Sequence, residues 1–467
     1  MVIGYQFGTS FEADSIITAY TIPNFFYIVL GGAITTTVIS IASKLQDQKQ
    51  KEFIDTITSG LVLFMGSLTI LLVVFAESWI TLFFKGLSSE SLTLTVQLFQ
   101  WMAPATFFLV LSMLYSGLLN MHEKYRLTSF STLIFNALFL GVSLLISLIL
   151  GPLGYGLGAL ASAFSMFLFL IYFLRRFQII SRFNWRLTYT PETKRFMQLL
   201  IPIVLGGATL QFYYLIQRVF ASGLDAGMIA SLNYASKLTQ FPQAVLMASV
   251  TTVIYPLLSK AAGDQDLPRL KRVYQKGVQT LFVLLIPVTI ALMLFAEDAV
   301  ILIFQYGNFD AAATERTYPL LQLLSWTMVG LAMNTYITRF FYALERSVLP
   351  ILLNIMSVFG INILLVQLLI DNLGVNAIAI AMVVSTLINT AMLMILAYQQ
   401  YRFSIGSIQW LTKFILFSLM IFVIFYGLST LPISIVFIRL LIVGLFTLAT
   451  IGIGFKMFVG STKEITK

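Results

Sequence analysis

The sequence predicts an all-α polytopic membrane protein: two parallel six-helix repeats forming two lobes, plus two C-terminal helices. Three observations predict it: the hydrophobic share, the uninterrupted apolar runs, and short motifs that recur about 220 positions apart. Of 467 residues, 59% are hydrophobic and only 10% charged, with a mean hydropathy of +0.93. A soluble domain carries about 25% charged residues, so an ordinary soluble enzyme and a disordered chain are both excluded. At about 30–35 residues per span and loop, this length holds about 13–15 spans. A transmembrane β-barrel would alternate apolar and polar residues, and these runs do not. There is no cysteine and one histidine, His122, which excludes disulfides, thiolate metal sites and multi-histidine sites.

The apolar stretches fall, in order, at about 14–43, 54–84, 93–120, 127–150, 153–174, 196–221, 228–258, 274–305, 316–343, 348–370, 373–399, 408–428 and 433–459. A short apolar scrap, 1–8, precedes these thirteen. Gly and Pro interrupt several (Pro23, Gly31, Gly32, Pro202, Gly206, Gly207, Pro242, Pro256). Such breaks are tolerated in a membrane where neighbouring helices or a cavity re-satisfy the backbone.

Charge alternates by loop. Lys44, Lys49 and Lys51 share one loop, and Lys124 and Arg126 lie two loops later. Arg175, Arg176, Arg182, Arg186, Lys194 and Arg195 come next at the same alternation. Lys260, Arg269, Lys271, Arg272 and Lys276 follow, then Arg346, Arg402 and the tail lysines Lys463 and Lys467. The intervening loops are acidic or nearly uncharged (Glu12 and Asp14, Lys85 with Glu90, Asp225, Asp310 with Glu315 and Arg316, Asp371). By the positive-inside rule the basic loops and the C-terminus are expected in the cytoplasm. The net charge of +9 is then explained by an anionic leaflet, not by nucleic acid.

Four similarities in order define the repeats. ITTTVISIASK at 34–44 resembles VTTVIYPLLSK at 250–260. Phe75-Ala76-Glu77 recurs as Phe295-Ala296-Glu297, and Leu153-Gly154 with Ser165 as Leu373-Gly374 with Ser385. FGTS at 7–10 resembles FASG at 220–223. The expected division is an N-terminal lobe at 1–176, a basic cytoplasmic linker at 177–195, a C-terminal lobe at 196–400 and two additional helices with a tail at 401–467. Six helices per copy is even, so both copies start on the same side and are parallel, with a substrate path between the halves. Copy two has an apolar helix before its FASG, whereas copy one has six residues before its FGTS. The expectation is fourteen helices with the first largely missing here, about 20 residues.

Residues able to carry chemistry are few. Asp264 and Asp266 form an isolated Asp-x-Asp in a basic loop beside Pro268, which reads as a solvated loop. No phosphate-cradling loop is present, so direct ATP use is not expected. His122 sits at a helix end, where an interfacial role suffices. Ionisable groups inside spans are the sharper signal, because hydrocarbon penalises them. Arg218 and Lys237 flank the turn between the first two helices of copy two, and Lys237 lies upstream of Pro242. Cations there suit a water-filled cavity and an anionic head group, with snorkelling as the alternative. Asp14 can serve as a helix-start anion or in substrate binding. Glu77 and Glu297 read as helix-end acids. Asn136, Asn354 and Asn362 lie in spans, where interhelical hydrogen bonds explain them; cation coordination by their carbonyl oxygens is the alternative.

FGTSFEADSIITAYTIPN, YASKLTQFP with VTTVIYPLLSK, LIFQYGNFDAAATERT and FFYALERSVLP together resemble the MurJ (MviN) lipid II flippases of the multidrug/oligosaccharidyl-lipid/polysaccharide exporter superfamily. The resemblance covers nearly the whole chain. It implies two six-helix lobes and movement of undecaprenyl-diphosphate-linked disaccharide pentapeptide across the cytoplasmic membrane by alternating access. It implies a cationic cavity, suited to a diphosphate, no cofactor, and coupling to membrane potential or, in some members, sodium. Asp14 matches the family's acid in its EADA-like segment. Lys237 takes the place of a cavity arginine, keeping charge but losing the bidentate fork. Gln217 occupies the place of an aspartate that contributes to a sodium site in some members. The family's arginine after Pro-Asn is replaced, since Phe26-Tyr27-Ile28 follow Asn24, and Gly31-Gly32-Ala33 stand where an acid is expected.

The resulting reading is a transporter and not an enzyme. It binds a lipid-linked saccharide diphosphate through Lys237, Arg218 and Asp14, and a cation through Asn354, Asn362 and Gln217. Its partners are the lipid bilayer and the substrate lipid, with cell-wall synthesis proteins compatible as further partners and nucleic acid not expected. Rival readings are a flippase for another undecaprenyl-linked saccharide, a cation-coupled exporter of small cationic molecules, and a membrane glycosyltransferase. A cationic drug wants intramembrane carboxylates and a diphosphate wants Lys or Arg, so the charges favour a flippase. A reporter that fluoresces only in the cytoplasm, fused after Lys467, is expected to fluoresce; a dark, membrane-inserted fusion reverses the topology.

Overall fold

The computed structural model describes residues 1–180, 184–346, 348–432 and 435–459; Arg182, Lys463 and Lys467 of the basic segments lie outside them. Every regular element among these residues is a helix. In order they are α1 (Val2–Phe7), α2 (Phe11–Ala42), α3 (Asp47–Val74), α4 (Ala76–Phe83), α5 (Ser89–Met121), α6 (Tyr125–Leu150), α7 (Leu153–Arg176), α8 (Pro191–Ala221) and α9 (Met228–Gly263). Then follow α10 (Leu267–Leu294), α11 (Ala296–Phe304), α12 (Ala311–Leu324), α13 (Thr327–Ala343), α14 (Val348–Ile355), a π-helical stretch (Met356–Asn362), α15 (Ile363–Leu373), α16 (Val375–Tyr401), α17 (Ile408–Ser429), α18 (Val436–Gly454) and a second π-helical stretch (Phe455–Val459).

Among the described residues twelve helices are long and apolar enough to cross a membrane, so this is a multi-pass membrane protein. The stretch at 316–343 is the exception among the thirteen expected. It divides into α12 and α13 at Ser325-Trp326. The Ser325 and Thr327 hydroxyls donate to the carbonyls of Gln322 and Leu324 at 2.8 and 2.6 Å there. Hydroxyls that bond the preceding turn compete with the helical ladder.

Helix starts follow from capping chemistry. Ser10, Ser88, Asp266, Asp310 and Ser407 each accept a hydrogen bond from a backbone N–H three residues on. Thr190 and Thr193 cap α8 reciprocally, with Pro191 at its first position. The Phe-Ala-Glu pairs mark one device used twice. Phe75 ends α3 at φ −101°, ψ 28° and opens α4; Phe295 ends α10 at φ −114°, ψ 30° and opens α11. The turn before α7 corrects one detail of the sequence alignment. Gly151, at φ 56°, ψ −136°, is the counterpart of Gly374, at φ 53°, ψ −131°; Gly154 instead packs against Ser147 of α6.

The chain forms two compact units. One is residues 10–229 with Val2; the other is Met1, residues 3–9 and the chain from Ala230 onward. In the first, α2 and α5 cross closely through small residues, as membrane helices do. Gly117 faces Thr35, whose hydroxyl donates to the Met113 carbonyl at 2.9 Å. α6 packs on α7 through Ser143 and Gly158, and only Ser131 and Ser143 of α6 are fully buried. The segment before α8 lies on α3: the Arg186 guanidinium pairs with Glu52 at 3.3 Å, and its backbone N–H donates to Ser59 Oγ at 3.0 Å.

In the second unit α10 is the buried axis, with α13, α17 and α18 against it. α17 and the chain end are tied on by Gln279 Nε2 donating to the Ile405 carbonyl at 2.9 Å and Lys276 Nζ to the Val459 carbonyl at 2.7 Å. Arg439 of α18 pairs with Asp298 of α11 at 3.1 Å.

Packing boundaries differ from repeat boundaries. α8, the first helix of copy two, belongs to the unit of copy one, and residues 3–9 of copy one belong to the unit of copy two. Local contacts explain both. Phe212 and Phe196 of α8 pack on Phe25 and Phe53, and Arg218 bonds Thr21. On the other side, Asn308 donates through its backbone N–H to the Tyr5 carbonyl at 2.8 Å and through Nδ2 to the Gln6 carbonyl at 2.6 Å, while Tyr234 Oη donates to the Gly8 carbonyl at 2.9 Å. Gly307 makes this approach feasible. Its φ is +63°, and a Cβ there would collide with the Tyr5 carbonyl oxygen and ring. Gly307→Ala should therefore cost at least about 2 kcal/mol and lower the thermal midpoint of the purified protein by several degrees; an unchanged midpoint would refute the close approach.

Candidate functional site

Polar and charged side chains inside the spans gather at one place in the first unit and at several in the second.

In the first unit, Asp14 sits in the first turn of α2, 5% exposed. Its Oδ2 accepts the Gly227 N–H at 2.6 Å. The acid therefore holds the turn between α8 and α9, in addition to favouring the start of α2. Arg218, in the last turn of α8, donates to Thr21 Oγ1 of α2 at 2.8 Å, and the Tyr20 and Tyr214 side chains lie within electrostatic reach of it. Gln217 is buried beside it in α8. Asp14, Gln217 and Arg218 thus share the α2–α8 packing.

Lys237, Asn354 and Asn362 belong to the second unit. Lys237 is exposed on α9 and donates to Gln240 Oε1 at 3.2 Å. Asn354 of α14 is the centre of a buried amide triad. Its Oδ1 accepts from Asn334 Nδ2 of α13 at 2.8 Å and from Asn389 Nδ2 of α16 at 2.7 Å. All three residues are 1–2% exposed. Oδ1 of Asn334 and Oδ1 of Asn389 have no partner among the described residues. Asn362, at the end of the π-helical stretch, is 1% exposed with neither amide atom bonded. A π-helical turn leaves the regular ladder and is often found at functional sites. Sodium, implied by the resemblance for some members, prefers hard oxygen donors, and rings of neutral carbonyls hold monovalent cations elsewhere. The two orphaned oxygens fit that need, so Asn334 and Asn389, held in place by Asn354, are the residues that would hold such an ion.

Asn136 does not bond between helices: it is exposed and donates to the Thr132 carbonyl of its own helix at 3.0 Å. Glu77 and Glu297 are both exposed in the first turns of α4 and α11. Asp266 caps α10, and His122 Nδ1 lies 2.9 Å from the Leu118 carbonyl at the end of α5.

Sequence reasoning passed over Asn334, Asn389, the Asp298–Arg439 pair and Arg339. Arg339 lies inside α13, donates to Thr251 Oγ1 of α9 at 2.8 Å and stands 5.9 Å from the Tyr255 ring centre. The signal was available: each is a charge or an amide within an apolar run.

The family profile described as "Lipid II flippase MurJ" matches residues 3–452. The chain belongs to the MurJ lipid II flippase family. Among curated relatives, the lipid II flippase MurJ of Burkholderia cenocepacia is 25% identical over 362 residues, 75% of this chain and 70% of that protein. A probable lipid II flippase MurJ of Synechocystis is 26% identical over 376 residues, covering 77% and 70%. Among solved structures, a lipid II flippase MurJ in an inward closed conformation superposes with a TM-score of 0.82 at 20% identity, over 97% of this chain and 95% of that one. An inward-facing MATE multidrug transporter of the same superfamily gives 0.74 at 15% identity, over 86% and 92%. The fold expected from the sequence is thus the fold of this family. The FQYGNFDAAAT element has a structural office here: Gly307 and Asn308 clasp α1, and Asp310 caps α12.

Asn354→Leu leaves the Nδ2 groups of Asn334 and Asn389 without their shared acceptor, at about 1–3 kcal/mol each. The expected result is a markedly lower thermal midpoint. A midpoint equal to that of the parent protein would refute the triad.

Proposed function

We propose that this chain is a flippase that moves lipid II, an undecaprenyl-diphosphate-linked peptidoglycan precursor, from the cytoplasmic to the outer leaflet by alternating access. Its basic loops and C-terminus face the cytoplasm in this reading. One observation within the spans carries the substrate class. The buried carboxylates are already engaged, Asp14 with the Gly227 N–H and Asp298 with Arg439. Three cations also lie in the spans: Arg218 in the last turn of α8, Lys237 on α9 and Arg339 in α13. A cationic drug would require the opposite arrangement, so the charge inventory favours an anionic diphosphate.

Lys237 and Arg218 are the groups that meet the diphosphate in this reading. Lys237 presents an ammonium point charge in place of a fork. Asp14 contributes by fixing the turn that precedes α9. The asparagine triad is the place for a coupling cation, with the membrane potential supplying the drive on any net charge moved.

The test is complementation of a strain depleted of its own flippase, with membrane abundance checked by blot. Lys237→Ala should insert normally and reduce flipping at least tenfold, Lys237→Arg should retain much of it, and Lys271→Ala should change little. Normal growth with Lys237→Ala at parental abundance sinks the assignment. In proteoliposomes, sodium-stimulated flipping that is lost in Asn354→Leu supports the cation role of the triad, and sodium-independent flipping by the parent protein removes it.

A further inference from the structure

Arg339 and the stripe of α9 that it touches carry an inference beyond Lys237. Arg339 sits four residues before the end of α13, and its guanidinium reaches sideways to Thr251 and Tyr255 of α9. Five N–H donors are available on a guanidinium, and among the described residues one is used, on a neutral hydroxyl. Among the described residues no carboxylate forms an ion pair with it. Thr251 lies nine residues before Lys260, about 14 Å along the helix, so the group sits inside the apolar run and not at its basic end.

Its position on α9 is informative. Lys237 and Tyr255 are five helical turns, about 27 Å, apart on one face, and Thr251 is within about 40° of that face. Phe241, Ala244, Val245, Ala248, Thr252 and Tyr255 between and around them are all exposed. The stripe therefore bears a cation near each end, separated by nearly the thickness of a bilayer's hydrocarbon core, about 30 Å.

The repeat provides an internal control. Glu123 and Glu345 follow α5 and α13 at φ 59° and 57°, which aligns the two helix ends and pairs Arg339 with Gly117. Thr251 pairs with Thr35 in the aligned ITTTVISIASK and VTTVIYPLLSK segments. In copy one, Gly117 lets the two helices touch at Thr35. In copy two the same crossing is made with an arginine. The fold does not need a charge at this crossing, since copy one builds it without one.

We propose that Arg339, with Thr251 and Tyr255, forms a second lipid-phosphate site, at the Tyr255 end of the α9 stripe, where a polyprenyl diphosphate is held before it reaches Lys237. Two N–H donors of the guanidinium face the phosphate oxygens in the bidentate manner that arginine favours. This rests on the flippase reading for its direction of travel, but the anion site itself does not.

The test is native mass spectrometry of the full chain with undecaprenyl diphosphate, and separately with phosphatidylglycerol, on the parent protein, Arg339→Gln, Arg339→Lys and Lys237→Ala, with thermal midpoints recorded. Arg339→Gln should lower retention of undecaprenyl diphosphate about tenfold, and Arg339→Lys should lose severalfold by losing the fork. Loss confined to phosphatidylglycerol assigns the site to a resident phospholipid and overturns the staging role. Equal retention of both lipids by Arg339→Gln overturns the site. If Arg339→Gln fails to accumulate, Arg339→Lys decides: retention equal to the parent overturns the proposal. Unchanged binding by the Arg339 variants with flipping still lost in Lys237→Ala removes this site alone. Flipping unaffected by Lys237→Ala with binding lost in Arg339→Gln removes the role of Lys237 and leaves the anion site.

Discussion

Hydrocarbon offers no hydrogen bonds, so each polar group inside it must find a partner within the protein or face water. Most of the architecture follows from that constraint. Long helices satisfy their own backbones, capping hydroxyls and carboxylates close their first turns, and hydroxyls within them donate to carbonyls one turn back. The ladder is broken at Phe75, at Phe295, at Ser325-Trp326 and over Met356–Asn362; Phe295 and Ser325 are buried at their breaks, whereas Phe75 is exposed. The asparagine triad illustrates the limit: two amides share the oxygen of a third, and among the described residues their own two carbonyl oxygens have no partner, at almost no exposure.

The two copies are alike in scaffold and unlike in chemistry. Both use a Phe-Ala-Glu break, both turn through a left-handed glycine before their last helix, and both end the helix before it with a left-handed glutamate. Copy two then adds what copy one lacks: a divided α12–α13, a π-helical stretch, the amide triad and an arginine at the α9 crossing. Duplication explains the common frame, and these additions are where the second copy has acquired polar functions that a membrane would otherwise exclude.

Much of this was legible in the sequence because apolar runs, loop charge and repeats all follow from one solvent. The span positions, the parallel repeats and the family were read from residues that lie along the whole chain. The division of 316–343 was not, since Ser325 and Thr327 act through local bonds that hydropathy does not register. The role of Asp14 was half visible: an acid in a first turn is readable, but its bond to Gly227, more than two hundred positions away, is tertiary. Arg339 was missed for a different reason. It sits close to a helix end and next to quoted family residues, so it looked like part of a motif and was not counted as a charge in a span. The aligned Gly117 is what makes it conspicuous.

The exchange of first helices between the packing units has a consequence for how the chain is made. Ribosomes deliver residues in order, yet the unit built on α2 and α5 is not complete until α8 has emerged. Residues 3–9 wait longer, for Gly307 and Asn308 to be synthesised about three hundred positions later. The unit of residues 10–229 is all but continuous and can close once α8 has emerged, whereas the other must join residues 3–9 to a stretch that begins at Ala230. Residues 3–9 must therefore stay unpacked while the whole of the first unit is made, and the two halves are completed one after the other.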